Sequence, residues 1–111
     1  MIEVTVYNYL NNALSVPVYT ELPKEKPQRF VVLDKIGSSK ENYLSSSTIA
    51  FQSYAESKYQ AALLNEQVKL AVDSLIEIPG VSGVQINSDY KFTDTSTKEY
   101  RYQAVYDINH Y

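Results

Sequence analysis

Apolar positions recur with helical spacing near the start of the chain. Residues 2–14 carry one apolar stripe with the asparagines off it, and this pattern predicts a short helix. The stripe consists of Ile2, Val6, Tyr9, Leu10 and Leu14. A helix of this length is marginally stable alone, so we expect its stripe to pack on a sheet.

The longest helical pattern runs from Ser57 to Ile78. Ser57 and Gln60 fit a capping box, in which the serine oxygen accepts a hydrogen bond from an unpaired backbone N–H. Pro79 and Gly80 are expected to end this helix, because proline clashes with the preceding turn. The apolar stripe consists of Ala61, Leu64, Val68, Ala71 and Leu75, widened by Val72 and Ile76.

Five segments have the pattern of strands. Residues 16–20 predict a short edge strand, since a proline there cannot donate to a ladder. Residues 29–36 are apolar on both faces, which is typical of a central strand, and 44–54 form the next strand. The segments 84–92 and 100–109 alternate apolar with polar residues, and their short polar link predicts an antiparallel hairpin.

Alternation and composition also predict side-chain orientation and loops. In the fourth strand, strict alternation puts Val84, Ile86, Tyr90 and Phe92 on one face. The stretch 37–42 is a loop by composition, because it is rich in glycine, serine and charge. We expect loops across 37–47 and 93–98 that are free to contact partners.

The order of elements is helix, short strand, strand, strand, long helix, strand, strand. This order predicts an α+β fold with a single layer of mainly antiparallel, or mixed, sheet and both helices packed on one face. A chain of 111 residues fits one domain, so residues 1–111 are assigned to a single unit.

Composition narrows the classes of function. The net charge is −3 and there is no cysteine, which argues against a basic nucleic-acid-binding face, a thiolate zinc site and a cysteine nucleophile. There is no apolar run of about 18 residues, so no membrane span is expected, and the N-terminus does not read as a signal peptide. Eleven tyrosines suit either half-buried strands or protein interfaces, and both interpretations stay open.

Residues that carry chemistry are sparse. His110 is the only histidine, and so close to a terminus we interpret it as a surface residue. Asp34, Asp89 and Asp94 show no sign of the separated environments that acid–base pairs need. No phosphate-binding glycine loop is present. We therefore expect no catalytic, metal-ligating or cofactor-binding residues, no cofactor, and no enzymatic activity.

Several segments carry a family resemblance, which covers nearly the whole chain and includes no catalytic motif. The segments are Ile2-Glu3-Val4, Ser53-Tyr54-Ala55-Glu56-Ser57, Ala61-Ala62-Leu63-Leu64-Asn65-Glu66, Asn87-Ser88-Asp89-Tyr90, Phe92-Thr93-Asp94 and Tyr100-Arg101-Tyr102-Gln103-Ala104-Val105-Tyr106-Asp107. They resemble small proteins of phages and prophages of Gram-positive bacteria, from the head–tail joining and tail-assembly module of long, non-contractile-tailed phages.

Within that module, size and element order are most similar to tail terminator proteins. The resemblance implies a small α/β domain that forms a hexameric ring, caps the tail tube, halts its growth and presents a surface to the head connector or stopper protein. It also implies a place in the virion at the head–tail interface, with assembly in the host cytoplasm and DNA passing through the lumen without specific binding. Head–tail connectors, stoppers and other minor tail proteins are the alternatives, although the stopper type is more often a small β-barrel.

A ring subunit needs two different patches that meet head to tail around a closed rotation. Polar loops and tyrosine-bearing edge strands are suited to form such patches. The expected contact residues are Lys40, Glu41, Asn42, Tyr43, Asp94, Thr95, Lys98, Tyr100 and Tyr102. A small monomeric or dimeric protein-binding module is the competing class.

Overall fold

Two helices pack on one face of a five-stranded sheet. The structure is a computed structural model and describes residues 2–41, 44–91 and 100–111. The helices are α1 (Ile2–Ala13) and α2 (Lys58–Asp73), and α2 continues into a 3₁₀ turn, Ser74–Glu77. The strands are β1 (Val18–Tyr19), β2 (Phe30–Glu41), β3 (Leu44–Ala55), β4 (Val81–Lys91) and β5 (Tyr100–His110).

The sheet is mixed, with the strand order β1-β2-β3-β5-β4. β1 runs parallel to β2, and every other neighbouring pair is antiparallel. The predicted α+β class, the short edge strand and the C-terminal hairpin are therefore confirmed. β4 and β1 form the two edges of the described sheet, and β2 has only a two-residue partner on its outer side.

The main core lies between the helices and the sheet face beneath them. α1 supplies Val6 and Leu10, which are fully buried in contact with residues of α2 and the sheet. Burial of each large apolar side chain contributes about 1.5–3 kcal/mol, so this layer is the main source of stability. The other members include Leu33, Ile49, Phe51, Leu64, Val68, Val72, Leu75, Tyr106 and Ile108.

The predicted cap of α2 is confirmed, but the α-helix ends earlier than predicted. The backbone N–H of Gln60 donates to Ser57 Oγ at 3.2 Å. The α-helix stops at Asp73, and the following 3₁₀ turn keeps Leu75 fully buried. A 3₁₀ turn is a common way for an α-helix to tighten at its end, and the sequence pattern does not distinguish the two.

The predicted turn at Pro79-Gly80 follows that 3₁₀ turn. The Val81 N–H donates to the Ile78 carbonyl at 3.1 Å, and Gly80 has φ of 94°. A β-turn with proline in second position and a left-handed glycine in third position is of type II. This turn delivers the chain from the helix layer into β4.

The loop predicted over 37–47 is wrong. Residues 37–41 continue β2, and 44–47 begin β3, paired in register from Gly37 opposite Thr48 to Glu41 opposite Leu44. β3 also pairs with β5 along this stretch, for example Ser47 opposite Ile108. Ladder pairing on both sides of β3 outweighs the low strand propensity of glycine and serine, because strand propensity is strongly context-dependent.

The prediction that side chains alternate strictly along β4 is also wrong. A β-bulge between Ile86 and Ser88 shifts the register, and the bulge inserts one unpaired residue into the strand. Asp89 therefore pairs with Ala104 on the helix side, while Tyr90 pairs with Gln103 on the opposite face. Phe92, which strict alternation also placed, lies outside the described residues.

Candidate functional site

The predicted contact residues lie at opposite ends of the sheet. Lys40 is exposed near the end of β2, opposite Ser45, and Glu41 is the last residue of that strand. Tyr102 is half-buried near the start of β5, opposite Ser53. The eight residue steps from Ser45 to Ser53 span about 26 Å at the usual strand rise, so the structure does not bring these groups together.

Tyr100 is also half-buried, and it pairs with Ala55 at the end of β3. The remaining predicted contact residues lie outside the described part of the chain. They are Asn42, Tyr43, Asp94, Thr95 and Lys98.

An apolar stripe runs along the outward face of α2. Tyr59, Leu63 and Leu70 are spaced i, i+4 and i+11, which places them on one side of a helix. Tyr59 and Leu70 are each 71% exposed and Leu63 is 42% exposed. We call these three residues the outer stripe. It lies opposite the core stripe of α2, which contains Leu64, Val68 and Val72.

The outer stripe continues into a groove between the two helices. Leu70 lines this groove together with Tyr9 and Leu14, and the groove has a volume of about 470 Å³. Tyr9 and Leu14 are only partly buried against the core. The apolar surface therefore extends from α2 towards α1.

A second depression lies at the other end of the outer stripe, between α2 and the hairpin of β4 and β5. We call it the α2–β4 cavity, and its volume is about 420 Å³. Its lining combines tyrosine rings, an apolar wall and polar groups. The residues that matter below are Tyr59, Leu63, Asn65, Glu66, Asp89 and Tyr102.

A charged network forms one wall of this cavity. Asp89 accepts hydrogen bonds from Lys69 Nζ at 2.6 Å and from Asn65 Nδ2 at 2.9 Å. Lys69 Nζ also lies 2.8 Å from Glu66 Oε1. The bulge in β4 creates this network, because it turns Asp89 towards α2.

The network changes the pKa values of Asp89 and Lys69. Burial raises the pKa of the Asp89 carboxyl, but the hydrogen bonds from Lys69 and Asn65 outweigh burial, so the net pKa is lowered. Hydrogen bonds to Asp89 and Glu66 raise the pKa of Lys69. Asp89 and Lys69 are therefore both held in their charged forms at neutral pH.

The sheet face opposite the helices carries a row of aromatic and polar side chains across the strands. The rings of Tyr19 and Phe30 pack in a T-shaped arrangement, and Phe30 stacks on Tyr54. Arg101 Nη1 donates to the Tyr54 hydroxyl at 2.9 Å. Two glutamines extend the row towards β4 through the bonds Tyr54–Gln52, Gln52–Gln103 and Gln103–Tyr90.

His110 is half-buried and contacts a serine. Its Nε2 lies 3.0 Å from Ser47 Oγ, and Ser47 is 1% exposed. A hydroxyl closed to solvent cannot attack a substrate, so the pair is a cross-strand contact. The sequence interpretation of His110 as a surface residue did not include this contact with Ser47.

Sequence reasoning missed the outer stripe and the α2–β4 cavity. The helical spacing of Tyr59, Leu63 and Leu70 is visible in the sequence. The core stripe of the same helix has more apolar residues, and it alone is interpreted as the apolar side of the helix. The cavity was not detectable, because strict alternation turns Asp89 away from α2.

The sequence matches none of the protein-family models and none of the curated proteins with which it was compared. Within residues 2–41, 44–91 and 100–111, no group of three or more acidic or histidine side chains is arranged to hold a metal ion. No helix in these same ranges is long and apolar enough to cross a membrane.

Proposed function

We propose that this protein is a structural assembly subunit of the phage tail-terminator type. Six copies form a ring that caps the tail tube, stops its polymerisation and joins the tail to the head connector. In this proposal the ring resides at the head–tail interface of the virion, and DNA passes through its lumen.

The outer stripe is the observation that carries the proposal. α2 carries large apolar side chains on two opposite sides, and only one of these sides packs on the sheet. On the outer side they alternate with the polar residues Glu66 and Gln67, and large apolar side chains exposed on one side of a surface helix favour a protein contact. A second copy of the chain would cover Tyr59, Leu63 and Leu70.

The fold adds support for this type of assembly subunit. The sheet is open, with β1 and β4 as its edges, whereas the stopper type is more often a closed barrel. The outer stripe on α2 and the exposed sheet edges are different surfaces. Two different patches are what a head-to-tail ring needs.

Native mass spectrometry of the purified chain tests the assembly. We expect a species of six chains of 12.6 kDa each. Leu70→Glu puts a charge at the exposed C-terminal end of the outer stripe and should convert the ring to monomers. Gln28→Glu is the matched control, because Gln28 is an exposed glutamine that lies outside α2.

A wild-type dimer would favour a small binding module over a ring. A hexamer that persists in Leu70→Glu would exclude the outer stripe as the interface. A wild-type chain that stays monomeric at all concentrations would contradict the proposal.

Deletion of the gene in its phage or prophage tests the place of the ring. Electron microscopy should show tails of irregular length that are not joined to heads. Tails of normal length lacking heads would favour the connector or stopper role. Normal particles would exclude every head–tail function.

A further inference from the structure

The outer side of β4 is uncovered along the strand. Among the described strands, β4 pairs only with β5, so backbone N–H and C=O groups of β4 point away from the sheet. Residues 81–88 contain no proline and no charged residue, although both commonly protect an edge strand from pairing. A row of unpaired backbone groups is matched by an extended strand, which adds to the sheet through main-chain hydrogen bonds.

The sheet register shows which residues of β4 present these groups. The Val31 N–H donates to the Pro17 carbonyl, on the side of β2 away from β3. Successive residues of a strand point their backbone groups to alternate neighbours, so the register across the sheet turns those of Val84 and Ile86 outward. Bulges flank residues 83–86, and this short stretch is therefore the one suited to regular pairing.

The exposed edge is also apolar on the helix side. Ile86 pairs with the core residue Tyr106, yet it is 45% exposed because no strand lies beside it. Ile76 is 48% exposed, on the 3₁₀ turn that packs against β4. The α2–β4 cavity, which Leu63 and Tyr90 line, joins this edge to the outer stripe. The edge therefore continues the apolar surface that the proposed assembly covers.

The other side of the sheet offers a free strand with a matching depression. β1 pairs only with Val31 and Val32 of β2, so β2 is uncovered beyond them on its outer side. A groove of about 460 Å³ lies between α1 and this part of β2, and we call it the α1–β2 groove. Val4 of α1 and Leu33 of β2 line it, and Val4 is 51% exposed. An apolar side chain from an added strand would fit there.

Symmetry selects among the possible pairings of edges. Pairing of like edges, β4 with β4 or β2 with β2, is isologous and stops at two copies. Pairing of β4 with β2 is heterologous and continues from copy to copy, as a ring requires. Three antiparallel steps separate β2 from β4, so copies in the same orientation present these strands antiparallel, with their helices on the same side of the sheet. Ile86 then faces the α1–β2 groove.

We propose that β4 of one copy adds to the free part of β2 of the next copy, with Ile86 seated in the α1–β2 groove. The inference rests on the proposed ring and names the two surfaces that close it. Main-chain hydrogen bonds supply the pairing, and Ile86 fixes its position along the groove.

A substitution at Ile86 tests the contact. Ile86→Lys puts a charge on the helix side of the edge and should raise the concentration for half-assembly by about tenfold or more. Ile86→Val is the matched control, because it keeps a β-branched apolar side chain at the same position, and it should assemble close to the wild-type level. Thermal unfolding of both variants checks that the fold is kept.

Cross-linking gives a measurement that does not depend on weakening the interface, since the chain has no cysteine. A mixture of Val4→Cys and Ile86→Cys chains should give covalent heterodimers with a short bis-maleimide. A mixture of Val4→Cys and Lys24→Cys chains should not, because both residues belong to the part of the chain that precedes β2. Efficient linking of Ile86→Cys chains to one another would overturn the proposal in favour of a β4–β4 dimer.

The outcomes separate this contact from the proposed function. A wild-type hexamer that Leu70→Glu disrupts but Ile86→Lys does not would overturn the β4–β2 contact and leave the assembly function intact. A hexamer without Val4–Ile86 cross-links would do the same. A wild-type chain that stays monomeric at every concentration would overturn both.

Discussion

The ring of Phe30 lies flat against the ring of Tyr54 on the sheet face opposite the two helices. Their centroids are 4.6 Å apart and their planes differ by 6°. Phe30 is 3% exposed and Tyr54 is 6% exposed. Arg101 covers the tyrosine ring from 5.5 Å. Neighbouring polar side chains thus help to close a second, smaller core on this face.

Replacing either ring should destabilise the protein. We expect Phe30→Ala and Tyr54→Ala each to lower the free energy of unfolding by about 3 kcal/mol, with a coupling of about 0.5–1.5 kcal/mol between them. Urea denaturation of the two single variants and the double variant measures both quantities. Tyr111→Ala is the control, because Tyr111 is highly exposed. Strictly additive losses would contradict a direct stacking energy.

Gly80 should resist substitution, because its φ of 94° is unfavourable for residues with a Cβ. We expect Gly80→Ala to lower the stability by about 1–2 kcal/mol. Gly37→Ala is the matched control, since the nearest atom to its added Cβ is 3.8 Å away and its φ is not in the left-handed region. Equal thermal midpoints for the two variants would show that the turn at Pro79-Gly80 imposes no strain.

Asp89 should contribute to stability at neutral pH and not in strong acid. Its pKa is lowered in the folded state, so the contribution is fully present above the ordinary value of 3.8 and is lost as the pH falls through the folded-state pKa. Asp89→Asn should therefore cost about 1 kcal/mol at pH 7 and little in strong acid.

Denaturation curves of the wild type and Asp89→Asn across this pH range check the prediction. Asp34→Asn serves as the control, because Asp34 is an exposed aspartate of β2. A difference between wild type and Asp89→Asn that stays constant with pH would mean that the Asp89 charge does not act through Lys69.

Tyr106 should give the opposite dependence on pH. Burial, and then the neighbouring charge and hydrogen bond of Asp73, raise the pKa of its hydroxyl. The unfolded chain ionises near the ordinary value of 10.0, so this contribution is complete below pH 10.0 and is lost as the pH rises above it.

The variant Tyr106→Phe removes this titration. We expect it to lose about 1 kcal/mol at neutral pH and to show a smaller decline in stability at alkaline pH than the wild type. Tyr111→Phe is the control at an exposed tyrosine. An alkaline decline that is identical in Tyr106→Phe and wild type would contradict the assignment.

The sequence predicts the elements where local and tertiary preferences agree. The stripe of α1, the Ser57 cap and the alternation of β5 each predict a single type of element, and the structure confirms all three. The stretch 37–41 has the composition of a loop but is held as a strand, because β3 on its inner side is itself fixed by β5.

The candidate site was less predictable than the fold. Tyr102 is a predicted contact residue and lines the α2–β4 cavity, whereas the sequence pattern predicts no contact role for Leu70 or Asn65. Leucine is common in helices, and whether Leu70 is buried or exposed depends on which side of α2 packs on the sheet. Asn65 gains its role from Asp89, a residue 24 positions later whose direction depends on an irregular strand.

The bulge between Ile86 and Ser88 also makes the number of residues in β4 matter as much as their identity. Removing Asn87 would take out the unpaired residue itself, so Ser88, Asp89 and Tyr90 would keep their partners on β5. One residue inserted after Ser88 would instead turn Asp89 away from Lys69 and Asn65. Natural variation in this strand should therefore tolerate the loss of residue 87 more readily than other changes of length.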